Sequence, residues 1–452
     1  MSSQTVGLII VAVLMISMAI GMPIAFALGL TSLVAIVLFL GTDQLSFFGE
    51  FVFGSVNDFT LLSIPLFLFM GAVFGGSKAG SDLFEAAHVW LVRLRGGLAM
   101  SSVVASGFFA ALCGSSAATA AAIGRVAIPE MRKRGYSNEV STGAVVAGGT
   151  LGILIPPSVT LILYGIATEQ SIGQLFLGGV APGIALVGLF CVWIAIATWL
   201  EKRRGVSRTT PLPSGSEVAE RVAEAERYYW ADRIKSLLKV LPFTLLIVGV
   251  LCALYLGYAT PSEAAAIGAL LSMLLVVVAY RSMTWKRLSK MLLESASEST
   301  MVMMIVAFSA VLGTVMSFLS IPQDLAESIN GLDVNRWVVM LVINLLLLVL
   351  GCFLPPVSII LMVMPVIFPI ITALDFDPIW FGVIVSINME MGLITPPVGL
   401  NLFVVKGIAP DVPLRDILVG SIPYVVILGL SIVLFSFFPE VITALPSAVF
   451  AK

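Results

Sequence analysis

Between Gly143 and Gly165 the chain reads GAVVAGGTLGILIPPSVTLILYG, apolar enough to lie in a bilayer yet interrupted by Gly148, Gly149, Gly152, Pro156 and Pro157. A proline has no N–H to donate, and its ring clashes with the carbonyl four residues back, so no helix passes such a point undisturbed. Carbonyls released at membrane depth need protein, water or a bound cation as partners. The arrangement returns in MGLITPPVGLNL, where Gly392, Pro396 and Pro397 each follow Gly152, Pro156 and Pro157 by 240 residues. Two interrupted helices at one fixed offset predict a carrier built from two related halves.

Composition supports a membrane setting. Of 452 residues, 59% are hydrophobic and 11% charged, against about 25% charged in a soluble domain. Cys113, Cys191, Cys252 and Cys352 sit in apolar runs without CxxC spacing, which supports neither a disulfide framework nor a zinc site. The first apolar run, Val6 to Ile20, has no basic region before it and leads into a second, so it reads as a retained helix. No GxxxxGK[ST] loop is present, which argues against ATP hydrolysis, and the single histidine, His88, reads as an interfacial residue rather than a ligand.

Read in order, apolar spans at 6–20 and 23–40 meet at Gly21-Met22-Pro23, and one near 60–76 precedes an interfacial stretch at 77–97. Leu98 to Ile128, closed by Pro129 and interrupted at Cys113-Gly114-Ser115-Ser116, gives two arms of about 14 residues, or ~21 Å each, too short for a core of ~30 Å. This predicts a re-entrant hairpin. The first broken helix and a span near 178–200 follow. Residues 201–239 form a polar segment with nine Lys/Arg, including Pro211 to Ser216 and an Ala/Glu/Arg-rich run from Glu217 to Arg233. The second half repeats the order: spans near 240–257, 261–280 and 299–318, an acidic loop from Gln323 to Asp333, and a hairpin from Trp337 to Ile371 with Gly351, Pro355 and Pro356 at its tip. A broken helix at about 379–406 and a span near 418–438 complete it.

Charge sets the orientation. Cytoplasmic loops at 77–97, 131–137, 201–239, 281–298 and 406–416 collect 21 of the 24 Lys/Arg, leaving only Arg125, Arg336 and Lys452. Both termini then lie outside, and the hairpins enter from opposite faces, so the repeats are expected to be inverted.

The tip GSSAATAA, Gly114 to Ala121, carries hydroxyls at Ser115, Ser116 and Thr119 where lipid-facing sequence would be apolar. A helix starting near Ser116 would offer unpaired N–H groups to an anion; close packing by small residues is the other reading. Glu390, beside Asn388, is a candidate for a proton or ion role, or for an ion pair or hydrogen bond that orders the broken helix. Glu294 and Glu298 are expected at a cytoplasmic helix start, Arg125 is expected to snorkel, and Met301, Met303 and Met304 are expected to pack. Broken helices also build channel filters, so a channel stays a rival to a carrier.

GGLA at Gly96, GSSAATAAAIG from Gly114, IPEMRKRGY from Ile128, LGILIPPS from Leu151, YG at Tyr164 and ITPPVGLNL from Ile394 resemble the large membrane subunit of tripartite ATP-independent periplasmic (TRAP) transporters, from about Pro23 to Tyr424. The resemblance implies an all-α polytopic membrane protein of two inverted repeats, each with a re-entrant hairpin and a broken helix, working as a sodium-driven elevator. It implies uptake of a small organic acid such as a dicarboxylate or sialic acid. A small four-helix membrane subunit and a periplasmic substrate-binding protein would be its partners, in a bacterial inner membrane with both termini periplasmic. A self-sufficient sodium-coupled carrier of similar design is the alternative. Sodium would be held by Gly114, Ser115, Gly149 and Gly152 in the first half and by Gly351, Asn388, Gly392, Thr395 and Gly399 in the second. Ser115, Ser116, Thr119, Pro156, Pro355 and Pro396 would flank the solute, although Pro355 stands where the family would place a polar or acidic residue. On this reading the scaffold covers 1–97, 175–239, 240–335 and 411–452, and the moving units cover 98–174 and 336–410.

Overall fold

The computed structural model describes residues 2–204, 229–280, 283–331 and 334–450, and the secondary structure of these residues is helical. The first half runs α1 (Ser3–Ala19), α2 (Ile24–Ala35, continued by a wider turn at Ile36–Leu40), α3 (Phe48–Val56), α4 (Ser63–Gly75) and α5 (Ala79–Leu91). Then come α6 (Gly97–Cys113), α7 (Ser116–Lys133), α8 (Asn138–Thr150), α9 (Val159–Thr168) and α10 (Ile172–Arg204). The second half runs α11 (Trp230–Tyr255), α12 (Pro261–Tyr280), α13 (Trp285–Phe318), α14 (Ile321–Gly331) and α15 (Arg336–Gly351). It ends with α16 (Pro356–Ala373), α17 (Pro378–Leu393), α18 (Leu400–Ile408), α19 (Leu414–Phe437) and α20 (Glu440–Phe450). Among the described residues, six helices are long and apolar enough to cross a membrane, and the pair at 42–56 and 59–75, bent by 56°, makes a seventh span if counted as one.

Local sequence explains where these helices begin. Asp377 accepts a hydrogen bond from Trp380 N at 2.8 Å while Pro378, whose missing N–H costs nothing there, opens α17. Ser137 caps α8 through Val140 N at 3.1 Å, and Asn335 caps α15 through Trp337 N at 2.9 Å.

The two halves touch each other reciprocally. Helix α4 packs on α12 while its counterpart α13 packs on α2, and α5 packs on α11 while α14 packs on α1. Deeper in, α9 meets α16 as α18 meets α7, and α8 meets α19 as α17 meets α10. Contacts that return with the halves exchanged are the pattern a two-fold relation generates.

Several expectations are corrected. Pro129 does not close the first hairpin arm; α7 runs through it to Lys133, the lost bond falling at the exposed end of the helix. The arms α6 and α7 have 17 and 18 residues rather than about 14, or ~26 and ~27 Å, still below a core of ~30 Å. Helix α13 starts at Trp285, so Glu294 and Glu298 lie more than two turns inside it and beyond the first-turn reach of the dipole. Within the interfacial stretch residues 79–91 form the regular helix α5, and 440–450 form α20. Of the polar segment, 201–204 close α10 and 230–239 open α11. Pro211 to Ser216 and most of the run from Glu217 to Arg233 lie outside the described residues, as does Asp333.

Candidate functional site

Each hairpin tip is seated on the break of the helix that follows it. At the first tip Gly114, with φ +61°, ends α6 in the left-handed region that glycine favours, and extended Ser115 opens α7. Helix α7 has no side-chain cap, so its first N–H groups stay available. The Ser115 carbonyl accepts from Thr119 N at 3.1 Å and from Thr119 Oγ1 at 2.8 Å. Against this tip lies the first break, where α8 tightens through a 3₁₀ turn at Leu151–Ile153 before Pro156 and Pro157. A Cβ added to Gly152 would lie 2.6 Å from Ser115 O, and one on Gly149 would lie 2.7 Å from Ala120 Cβ. These two glycines permit the contact. Ser158 restores order after the prolines: its hydroxyl donates to Ile153 O at 2.5 Å and caps α9 through Leu161 N at 3.3 Å.

The second tip repeats the seating with backbone alone. A Cβ on Gly392 would stand 2.6 Å from Gly351 Cα, and Gly399 N donates to Cys352 O at 3.4 Å. Gly399 itself has φ +57° and opens α18. Thr395 Oγ1 donates to Met391 O at 2.6 Å, which leaves its lone pairs as acceptors. Both proline pairs, Pro156-Pro157 and Pro396-Pro397, are joined by cis peptide bonds.

The sequence-derived site residues thus fall into two clusters. Gly114, Ser115, Ser116, Thr119, Gly149, Gly152 and Pro156 form one, and Gly351, Gly392, Thr395, Pro396 and Gly399 form the other. They are linked by a residue the sequence reading passed over: Asn401 Nδ2 of α18 donates to Ser116 Oγ of α7 at 2.7 Å. Asn388 lies one turn before the second break and is turned towards α15, where its Nδ2 donates to Asn344 O and Oδ1 at 2.9 Å each. The signal for Asn344 and Asn401 was present, because each is an amide inside an apolar run. Pro355 opens α16 without a side-chain cap and is exposed. The breaks differ in cover: Pro156 and Pro157 are buried, whereas Pro396, Pro397 and Val398 are exposed.

Several unpaired buried oxygens lie in the second half. Asn388 Oδ1, Asn401 Oδ1 and both Glu390 oxygens are buried without a hydrogen-bond partner. Glu390 is fully buried, and no ion pair or hydrogen bond holds it to the broken helix, which leaves the ordering role without a contact to act through. Such oxygens suit a hard cation, which takes oxygen ligands. Hydroxyls and open N–H groups at the first tip suit an anion. Elsewhere, His88 is buried, stacks on Phe84 and meets Arg134 Nη1 at 2.9 Å. Among the described residues, no three His, Cys, Asp or Glu side chains converge as metal ligands.

The chain matches the family described as "Tripartite ATP-independent periplasmic transporter, DctM component" over residues 11–441. It is 38% identical to the C4-dicarboxylate TRAP transporter large permease protein DctM of Pseudomonas aeruginosa, over 93% of this chain and 94% of that one. It is 31% identical to the sialic acid TRAP transporter large permease protein SiaM of Vibrio cholerae, over 94% and 95%. An isethionate TRAP transporter permease protein, DctMQ of Oleidesulfovibrio alaskensis, is 33% identical over 87% of this chain and 59% of its own length. In fold the chain is similar to the Alcanivorax borkumensis YdaH transporter, with TM-score 0.58 and 15% identity over 90% of this chain and 91% of that one. The Neisseria gonorrhoeae MtrF structure gives TM-score 0.59 and 13% identity over 92% and 86%. At such identities these two speak for the fold alone. The chain is a multi-pass transporter permease rather than an enzyme, and it belongs to the DctM family of tripartite ATP-independent periplasmic transporters.

Proposed function

We propose that this permease takes up a small organic-acid anion with co-transported sodium by an elevator movement of its two hairpin-and-break units. The observation that carries the reading is the seating of each tip on its own break, Gly152 against Ser115 and Gly392 against Gly351. That geometry gathers backbone carbonyls, hydroxyls and helix N-termini at two related points, as midplane sites of inverted-repeat carriers require. The reciprocal contacts between halves support an inverted relation, and the concentration of Lys/Arg in five loops supports the orientation given above. Residues 98–174 and 336–410 would move, and the rest would hold position. C4-dicarboxylate, sialic acid and isethionate, which the relatives' names give, are all anions, and this supports an anionic cargo. A small membrane subunit and a periplasmic binding protein would complete the assembly in the inner membrane of a bacterium.

Reconstitution into liposomes tests this. Saturable uptake should follow an imposed sodium gradient without ATP, and should need both partners. Ohmic single-channel current would replace the carrier with a channel, and uptake by this chain alone would make it self-sufficient.

A further inference from the structure

A hollow of about 520 Å³ opens beside the first tip, between the hairpin arm α7 and helices α4 and α13. Small residues create it. Helix α7 presents Ala118 and Ala122 to the space, and α4 presents Gly71 and Gly75. Depth is fixed by contacts: a Cβ on Gly71 would meet Cys113 O at the tip, and one on Gly80 would meet Ala122 at 3.4 Å, two turns further along α7. Beyond Ala122, on the same stripe, stands Arg125.

Charge is unevenly spread along this space. Helix α13 lines it with Arg287, Lys290, Glu294 and Glu298, so its cations lie at the start of the helix and Glu298 lies ~16 Å from Arg287. Lys290 Nζ is 3.7 Å from Glu294, so part of its charge is answered. Arg125 differs: it is exposed, and among the described residues it has no ion pair and no side-chain hydrogen bond. An arginine that borders the hollow without a protein partner leaves its guanidinium open to an anion there. Its planar fork suits a carboxylate or sulfonate in two-point contact.

We propose that this hollow is a second station for the anionic group of the solute, on the cytoplasmic side of the tip, with Arg125 as its anchor. The inference rests on the reading of the chain as a carrier of anions, and it extends that reading along the hollow from Cys113 and Ser115 at the tip to Arg125. An anion leaving the tip passes Glu298, which disfavours it, and reaches Arg125 near the mouth. The station therefore holds the solute after it leaves the tip and favours its release to the cytoplasm.

The local potential can be measured without the solute, the partners or sodium. A cysteine is placed at Ala122→Cys, or at Ala72→Cys on the opposite wall, in inverted membrane vesicles that present the cytoplasmic face. Its reaction with anionic sulfonatoethyl and cationic trimethylammonioethyl methanethiosulfonate is read as the increment over the parent chain, which keeps its four native cysteines. The anionic-to-cationic rate ratio should exceed that of a free thiol. It should fall about tenfold with Arg125→Gln and return with Arg125→Lys. A ratio unmoved by Arg125→Gln at both reporters, or no labelling of either from this face, overturns the station. Because labelling needs no transport, failed sodium-driven uptake leaves this result standing, and the reverse also holds.

Discussion

Asn401 donates through Nδ2 to Ser116 Oγ at 2.7 Å, a buried hydrogen bond between residues 285 positions apart. It joins the start of α18 in one half to the tip helix of the other and so couples the two clusters. Asn401→Leu should lower the melting temperature of the purified chain, since losing one partner of a buried bond costs about 1–3 kcal/mol. In a double-mutant cycle with Ser116→Ala, a coupling of about 0.5 kcal/mol or more is expected. Additive effects would mean that the bond carries no energy.

Close backbone approach predicts intolerance at two glycines. Gly152→Ala and Gly392→Ala each place a Cβ 2.6 Å from main-chain atoms of the tip, which cannot rotate away. Each should cost roughly 1–3 kcal/mol and separate tip from break, with loss of uptake. Gly249→Ala is the control, because nothing lies within 4 Å of its Cβ and alanine favours a helix. Melting curves and uptake by correctly inserted protein decide the matter.

Sodium dependence should be asymmetric between the breaks. Thr395 supplies a hydroxyl whose lone pairs remain open, whereas the position 240 residues earlier is Ile155. Thr395→Val keeps the shape and removes the oxygen. It should raise the sodium concentration for half-maximal uptake at least about fivefold, equivalent to ~1 kcal/mol. Ile155→Val should leave the sodium curve in place. An unchanged curve for Thr395→Val would make the second site entirely backbone.

Sidedness follows from the charge distribution. Cysteines at Asp43 and Ala373 should react with impermeant maleimide added outside intact cells, and one at Lys133 should react only after the membrane is opened. Labelling of Ala373 from the cytoplasmic face would remove the inverted relation between the hairpins.

Acid should loosen one exposed link. Arg132 Nη1 lies 2.7 Å from Asp411 and holds its carboxyl below the usual aspartate range through a hydrogen bond. A lowered folded-state value adds stability above the unfolded value, and that stability is lost as pH falls through the folded one. The pair is solvent-exposed, so the effect should stay under about 1 kcal/mol. Asp411→Asn should abolish this part of the acid sensitivity of the melting temperature.

Sequence alone determined the breaks and the tips, because these depend on local chemistry. The adjacent pairs Pro156-Pro157 and Pro396-Pro397, each close after a glycine, break their helices where single prolines such as Pro129 do not, and the 240-residue offset is visible by inspection. It also marked Gly152, Gly392 and Ser115 as special, without saying what they touch. Tertiary structure decided the partners. Gly152 meets Ser115 and Gly392 meets Gly351 because the chain folds each hairpin back on the next helix, a matter of packing between distant segments. Asn401 pairs with Ser116, and Glu390 finds no hydrogen-bond partner among the described residues, for the same reason. Arg125 shows the difference most plainly: its place in the sequence suggests a side chain reaching for the interface, and only packing shows that it borders the hollow left by Gly71, Gly75 and Ala122.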